Sequence, residues 1–478
     1  MRVLAAFLVN TLFNFAIGLL VALFLGPDQF GRFALAMAVA MVVQTVAFEW
    51  IRLSAIRFYS EKSRNEQPEL RATLDVAFAA VAVALAAAAV IFILGGLTFS
   101  LSHTLVALAF VAAIANGLFD YNTALVRARF QDRLYGRLVI TKNIMSLLLT
   151  VGGAFVFHSA VMTLAGACIS MAGSVIFSRH ALHDSDAKPS LASRSLALEY
   201  ARYSLPVVAA NVLYLAIPLA NRALVTSTFG FAETGQFSLA YDIGTRLIAA
   251  IGSALDVLLF QIAVRAEETH GSDEAHEQVA RNMATVFAIL LPAAAGLWLI
   301  LPSIEALIVP VAFRGPFGHY LTLLLPGLLC FGFMNYAINA FFQIRKRTLP
   351  LIAAAIAACA ANVWLVLDAP SSSDASNIAL AQTGAFVTAM IVLIVFAAFG
   401  DARWPRVKDM ALTLIATGLM YAAVLPLRNM SPGLLTCALQ VFAGGVIYGG
   451  MALAFNIAGL RTAIMGVVNG WRARKPNP

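Results

Sequence analysis

Runs of apolar residues alternate with short polar segments from one end of the chain to the other. A helix needs about 20 apolar residues to cross the hydrocarbon of a bilayer. On that ruler the pattern predicts fourteen transmembrane helices, at 3–25, 33–56, 73–96, 103–125, 137–157, 159–178, 204–225, 236–262, 281–301, 317–341, 349–367, 377–399, 409–427 and 433–457. Only His158 and its neighbours separate the fifth span from the sixth. Pro206 and Pro218 stand inside the seventh, where a missing N–H can bend a helix and free carbonyls. Alanine and glycine recur in many spans and permit close helix contacts.

The polar segments are too short to hold a soluble domain. The longest central one, Arg179–Ala197, is expected to act as a hinge, and its Asp184-Ser185-Asp186 run reads as a solvated loop. Ala266–Glu277 carries Glu267, Glu268, Asp273, Glu274 and Glu277 and is expected to be a solvated connector or a surface helix. The Ser-rich stretch Asp368–Asn377 is expected to be irregular.

One short pattern occurs twice. Gly26–Ala36 and Gly230–Ala240 both read G-x-x-x-x-G-x-F-x-L-A, and each lies between an apolar run and the next. Their shared context points to an internal duplication. Both preceding helices run in the same direction, so the halves are expected to be parallel repeats about an axis along the membrane normal. The expected fold is an all-α polytopic membrane protein with two six-helix lobes around a central cleft. Its parts are 1–178 for the first lobe, 179–197 for the connector, 198–399 for the second lobe, 400–460 for two further helices, and 461–478 for a basic tail.

Composition agrees. The chain is 61% hydrophobic and 12% charged, against about 25% charged in an ordinary soluble domain. A net charge of +8 would suit nucleic acid, but the placement of the cations excludes that reading. Of the 32 Lys and Arg, Arg32, Arg314 and Arg428 fall in outer segments and Arg52, Arg222 and Arg246 are counted inside spans, while Arg137, Lys142 and Arg281 are counted with the inner segments from which their spans start. The inner segments alternate with the outer ones and hold Arg127, Arg129, Arg133, Arg137 and Lys142, the group Arg345, Lys346 and Arg347, and the tail residues Arg472, Arg474 and Lys475. Such a bias sets topology, with both termini on the cytoplasmic side. Cys168, Cys330, Cys359 and Cys437 have no paired spacing and read as small buried hydrophobes.

Ionisable groups inside hydrocarbon are costly and usually face protein or a water-filled cavity. Arg246 stands near the midplane of the eighth span with Asp242 one turn earlier on the same face. Two readings stand, an internal brace and a cavity cation. Arg222 lies nearer the outer end of its span, where snorkelling is a further option. Glu49 and Arg52 share a helical face in the second span, and Asp120 and Asp256 are candidate counter-ions. Arginines from both halves suggest a cationic cavity suited to phosphate or pyrophosphate. The seven histidines show no metal-ligand spacing, and no G-x-x-x-x-G-K-[ST] element is present. No cofactor and no catalytic group are expected.

Several stretches together resemble one family: Leu25–Phe33, Tyr203-Ser204-Leu205-Pro206, Asn221-Arg222, Phe229-Gly230 and Gly235–Ala240. The chain resembles the bacterial polysaccharide biosynthesis exporters, the group of Wzx-type flippases in the MATE-like (MOP) transporter superfamily. The resemblance implies fourteen helices in two lobes, an inner-membrane location and outward transfer of an undecaprenyl-pyrophosphate-linked oligosaccharide. It also implies an arginine-bearing cavity for the anionic head, and work alongside a polysaccharide polymerase and glycosyltransferases. Arg222 matches an arginine that often follows aspartate in the family; here Asn221 replaces that aspartate. The lipid tail would stay in the bilayer, and energy would come from an H+ or Na+ gradient or from downstream polymerisation. Two alternatives are carried: a cation-coupled drug exporter of MATE type, and a non-transporting membrane partner of a polysaccharide synthase. The first should carry acidic residues in a lobe cavity, and the first span here has none, only Asn10 and Asn14.

Overall fold

Helix dominates the computed structural model, which describes residues 2–95, 100–270, 272–344, 348–400, 403–462 and 465. The predicted cations Arg345, Lys346, Arg347, Arg472, Arg474 and Lys475 lie outside the described residues. In chain order the helices begin with α1 (Arg2–Phe58), α2 (Glu61–Glu66), α3 (Pro68–Leu94), α4 (His103–Ala128), α5 (Asp132–Met145) and α6 (Gly152–Phe157). Then come α7 (Ala160–Phe177), α8 (Arg179–Leu182), α9 (Arg194–Phe229), α10 (Phe231–His270), α11 (Ser272–Leu307) and α12 (Pro316–Phe333). The chain closes with α13 (Asn339–Ile344), α14 (Leu349–Leu367), α15 (Ser376–Ala398), α16 (Val407–Val424) and α17 (Leu434–Ala454). Among the described residues, 12 helical stretches are long and apolar enough to cross a membrane, so this is an all-α multi-pass membrane protein. The first of them, Asn10–Phe58, has 49 residues. At 1.5 Å per residue that is about 73 Å, more than twice the hydrocarbon thickness. The 40-residue α10 covers the predicted span at 236–262 but is not one of the 12.

The long first helix is interrupted where the repeated pattern begins. Gly26 has φ 67° and ψ 173°, a conformation open to glycine and strained for other residues. Pro27 then restarts the helix, since its fixed φ suits a first turn and its missing N–H costs nothing there. Gly230, which ends α9, has φ 89° and ψ 179°. Both copies therefore break the chain with the same glycine in the same conformation. His158, with φ 46°, separates α6 from α7 as its sequence position predicted. Its Nδ1 lies 2.8 Å from the Phe24 carbonyl oxygen. The prolines of α9 leave it one continuous helix of 36 residues.

One expectation changes. Asp184 is not solvated: its side chain is 7% exposed and pairs with Arg64 at 3.0 Å. The Tyr59 hydroxyl donates to the same carboxylate at 3.5 Å, and the Ser193 N–H donates to Thr73 Oγ1 at 3.0 Å. The connector is thus tied down at both ends, because half-buried Arg64 and buried Tyr59 supply partners that sequence spacing does not reveal. Burial works against the charge on Arg64, yet the hydrogen bond and charge of Asp184 hold its guanidinium above the ordinary range. Burial likewise pushes the Tyr59 phenol up. The acidic stretch around Ala266–Glu277 is helical on both sides of Gly271, with α10 reaching His270 and α11 starting at Ser272. The loop between Leu367 and Ser376 is irregular, as expected.

By packing, the chain forms two compact units, Met1–Leu239 with Cys359–Gln382, and Ala240–Ala358 with Thr383–Pro478. In the first, α1, α4, α7 and α9 bury a core that includes Leu35, Ala36, Leu105, Ala109 and Leu164. In the second, α11, α16 and α17 pack through Leu299, Met420 and Val424, with the Trp298 and Tyr421 rings stacked 5.5 Å apart.

Candidate functional site

The two glycine patterns meet in the first unit. A Cβ placed on Gly31 would lie 2.0 Å from the Phe231 carbonyl oxygen, and one on Gly235 would lie 2.0 Å from the Pro27 carbonyl oxygen. Gly31 and Gly235 are the sixth positions of their copies, and Pro27 and Phe231 the second. The contact is therefore reciprocal, like an isologous interface folded into one chain. Two backbones touch where no side chain intervenes. Arg32 closes the rim, pairing with Asp28 at 3.0 Å and lying 4.1 Å from the centroid of the Phe231 ring.

Nearer the cation-rich end of the same unit is a polar cavity of about 330 Å³, lined among others by Asn10, Asn14, Arg52, Asp120, Arg127 and Lys142. Helical spacing places these groups. Asn10 and Asn14 are one turn apart on the first part of α1. Asn116, Asp120, Thr123 and Arg127 form a stripe at i, i+4, i+7 and i+11 on α4, and Tyr135 and Lys142 share a face of α5. Arg52 directs its fork at Glu49, with Nε 2.7 Å from Oε2 and Nη2 bonded to Oε1. Asp120 accepts from Gln44 Nε2 at 2.8 Å. Lys142, 8% exposed, donates to Asn14 Oδ1 at 3.0 Å and stands 5.9 Å from the Phe119 ring centroid. Asn143 Nδ2 donates to Asn10 Oδ1 at 3.0 Å. Directly after this pair the backbone widens into a π-helical turn, Ser146–Val151, a form common at functional sites.

A buried ammonium must be compensated. Here an amide carbonyl and an aromatic face share that role for Lys142. The cavity thus carries three cations, Arg52, Arg127 and Lys142, with carboxylates at Glu49 and Asp120 beside them. Its chemistry suits a compact anion that exchanges with or joins those carboxylates.

Three of the sequence-predicted residues, Arg52, Glu49 and Asp120, are brought together. Arg222 is elsewhere in the unit: it is 5% exposed, and its Nη1 donates to the Ala34 carbonyl oxygen at 3.2 Å. Its neighbour Asn221 donates to Asn362 Oδ1 at 3.1 Å and Gln382 Oε1 at 2.9 Å, and receives from Asn362 Nδ2 at 2.9 Å. A neutral amide fits that buried cluster; the family's aspartate has no N–H to give. Arg246 and Asp242 belong to the second unit, where Arg246 is exposed and Asp242 half-buried. The Asp256 side chain lies outside the described residues. Lys142 and Arg127 were counted as topology cations, and the polar stripe on α4 was the available signal for their depth. Among the described residues no group of three His, Cys, Asp or Glu could hold a metal ion.

The family model described as polysaccharide biosynthesis protein matches residues 20–311. The chain is similar in fold to a solved structure titled "Lipid II flippase MurJ, inward closed conformation", with a TM-score of 0.69, 13% identity, and 94% of this chain and 98% of that chain covered. It is also similar to an inward-facing multidrug resistance MATE family transporter of the MOP superfamily, with a TM-score of 0.57, 14% identity, and coverage of 82% and 94%. A MATE in complex with MaL6 gives a TM-score of 0.54 at 15% identity, covering 84% of this chain and 94% of that one. No curated protein matches by sequence. The fold is of the transporter type shared by MurJ and MATE proteins. The chain belongs to the polysaccharide biosynthesis protein family.

Proposed function

We propose that the protein carries a lipid-linked oligosaccharide, with an undecaprenyl-pyrophosphate anchor, outward across the bacterial inner membrane by alternating access. The observation that carries this reading is the cavity in which Arg52, Arg127 and Lys142 converge inside an otherwise apolar helical bundle. A pyrophosphate in hydrocarbon would be prohibitively costly, whereas guanidinium and ammonium donors give it directional, charge-assisted bonds. Arg246, exposed on α10, is assigned a further contact with the anionic cargo, with Asp242 orienting it. Arg222 is assigned a bracing role. A second feature suits the lipid: the second unit holds an apolar trough of about 540 Å³, lined among others by Leu247, Ile251, Ile289, Leu297, Ile300 and Met420.

On this reading the chain has fourteen spans in two parallel six-helix repeats plus two C-terminal helices, with both ends cytoplasmic. The repeats concern ancestry and superposition, while the compact units concern packing. The exported glycan would feed an extracytoplasmic polymerase after cytoplasmic glycosyltransferases build it. Reconstituted vesicles offered pyrophosphate-linked glycolipid and a cationic dye separate the readings. The glycolipid should reach the far leaflet and the dye should not. Dye transport alone would assign a drug exporter, and movement of neither would favour a non-transporting partner.

A further inference from the structure

A second polar pocket, of about 300 Å³, lies in the second unit where the start of α11, the start of α16 and the turn after α17 converge. Its lining includes Arg281, Arg403, Trp404, Arg406, Glu277 and Asp409. Glu277 is shared: Arg281 Nη2 lies 2.6 Å from its Oε1 and Arg403 Nη1 lies 3.6 Å from its Oε2. Asp409 Oδ1 accepts the Ala458 N–H at 3.2 Å. Arg406 makes no ion pair among the described residues. Beside the lining, Glu274 Oε1 lies 3.8 Å from Arg281 Nη2 and Asp273 Oδ1 lies 3.9 Å from Arg403 Nη2. Arg281 and Arg403 are thus held by carboxylates, and Arg406 is the lining guanidinium that an anion would pair.

Two further features suit an anion there. Arg406 is the N-cap of α16 and supplies no side-chain cap, so the positive end of that helix adds to the guanidiniums. The turn beside it holds Asn456 and Ala458 in the left-handed region, each at φ 50°, and Gly459 at φ 75°. A left-handed alanine is strained, and such strain gathers at ligand-binding sites. Its N–H is spent on Asp409, which draws that carboxylate toward the backbone.

We propose that this pocket binds the phosphodiester headgroup of an anionic phospholipid in the cation-rich, cytoplasmic leaflet. Basic pockets between helices on that side commonly take such headgroups. The surroundings favour a lipid over free phosphate. Trp404, 43% exposed, has the amphipathic ring typical of the membrane interface. Val407, Leu414 and Phe455 are exposed at 82%, 55% and 55% next to the pocket and give acyl chains an apolar path along α16 and the end of α17. Arg406, with no ion pair among the described residues, favours a monoanionic phosphodiester over a zwitterionic one, whose own cation would answer the phosphate.

Native mass spectrometry of the full-length protein with phosphatidylglycerol, phosphatidylcholine or inorganic phosphate tests the site. Phosphatidylglycerol should be retained in preference to phosphatidylcholine, and millimolar inorganic phosphate should not displace it. R403Q/R406Q should weaken phosphatidylglycerol binding by roughly twenty-five-fold, from about fivefold per arginine near an anionic surface. R406Q alone, which breaks no ion pair among the described residues, should show the fivefold step in a protein with unchanged thermal stability. Equal retention of the two lipids, undiminished binding by both variants, or displacement by inorganic phosphate would overturn the proposal.

Discussion

Replacing Gly31 by alanine tests the reciprocal contact between the two repeated patterns. The new methyl would sit 2.0 Å from the Phe231 carbonyl oxygen and 2.9 Å from the Gly235 nitrogen. A carbon and a carbonyl oxygen approach to about 3.3 Å at closest, so α1 and α10 must separate locally by more than 1 Å. No rotamer change can relieve this, because the opposing atoms are backbone. Overpacking of this kind costs about 1–3 kcal/mol, and the rigid opponents place Gly31→Ala at the upper end. Helix propensity works the other way by up to about 1 kcal/mol, leaving a net loss of about 2 kcal/mol. Gly136→Ala in α5 is the matched control, since nothing lies within 4 Å of its added Cβ. That variant should be neutral or slightly stabilised.

Apparent Tm in lipid nanodiscs at a fixed scan rate is the assay, because unfolding of a protein this large is not reversible. Gly31→Ala and Gly235→Ala should each lower it by a few degrees. The double variant should lose less than the sum, because the second methyl enters a contact the first has already widened. Wild-type stability in Gly31→Ala, or fully additive losses, would refute the backbone-to-backbone contact.

Lys142→Met keeps the length of the side chain and removes its charge; glycolipid translocation should fall at least tenfold with expression and Tm retained, and undiminished transport would remove Lys142 from the site. Asn221→Asp should lower stability by about 2–5 kcal/mol, read as loss of monodisperse protein on mild heating, because an ionised carboxylate cannot donate to Asn362 and Gln382. A stable, active Asn221→Asp protein would show that the amide cluster is not required. Asp184→Asn should free the connector, since it leaves Arg64 without its 3.0 Å partner, and limited proteolysis between 183 and 193 should accelerate severalfold. Unchanged cleavage would mean that the Ser193–Thr73 contact alone holds the segment.

Much of this was legible in the sequence because it follows from local rules. A span is set by the length of an apolar run, so a helix covers the body of every stretch expected to cross the membrane. The Gly26 and Gly230 breaks follow from one residue type with one conformational freedom. Glu49 and Arg52 meet because three residues along a helix share a face. What escaped depends on contacts distant in sequence. Asp184 lies in a polar connector and would be called solvated by any local rule, yet Arg64, 120 residues earlier, buries it. Lys142 looked like one more cytoplasmic cation, and only the packing of α1 against α5 turns it inward. Asn221 read as a lost counter-ion until Asn362 and Gln382 supplied a reason for an amide.

On the proposed duplication, the repeated pattern indicates where its two copies are alike and where they differ. At the end of the bundle where Gly31 meets Gly235, the two copies are interchangeable, because the contact uses only backbone and each glycine serves the other. Carrying the same register down the continuous helices α1 and α10, Glu49 and Arg52 fall opposite Ser253 and Asp256. The guanidinium–carboxylate pair of one copy therefore has no counterpart in the other. Reciprocity is kept where two helices must approach closely, since any side chain would obstruct both. It is lost at Glu49 and Arg52, which on the proposed function belong to the cation-bearing cavity of the first unit and are not repeated in the second copy. A Ser253→Glu, Asp256→Arg exchange would restore the missing pair in α10. If the role of this pair is particular to the first unit's cavity, that exchange should leave transport dependent on Arg52, Arg127 and Lys142 and should not rescue Lys142→Met. Rescue would instead assign the cargo's charge to both copies.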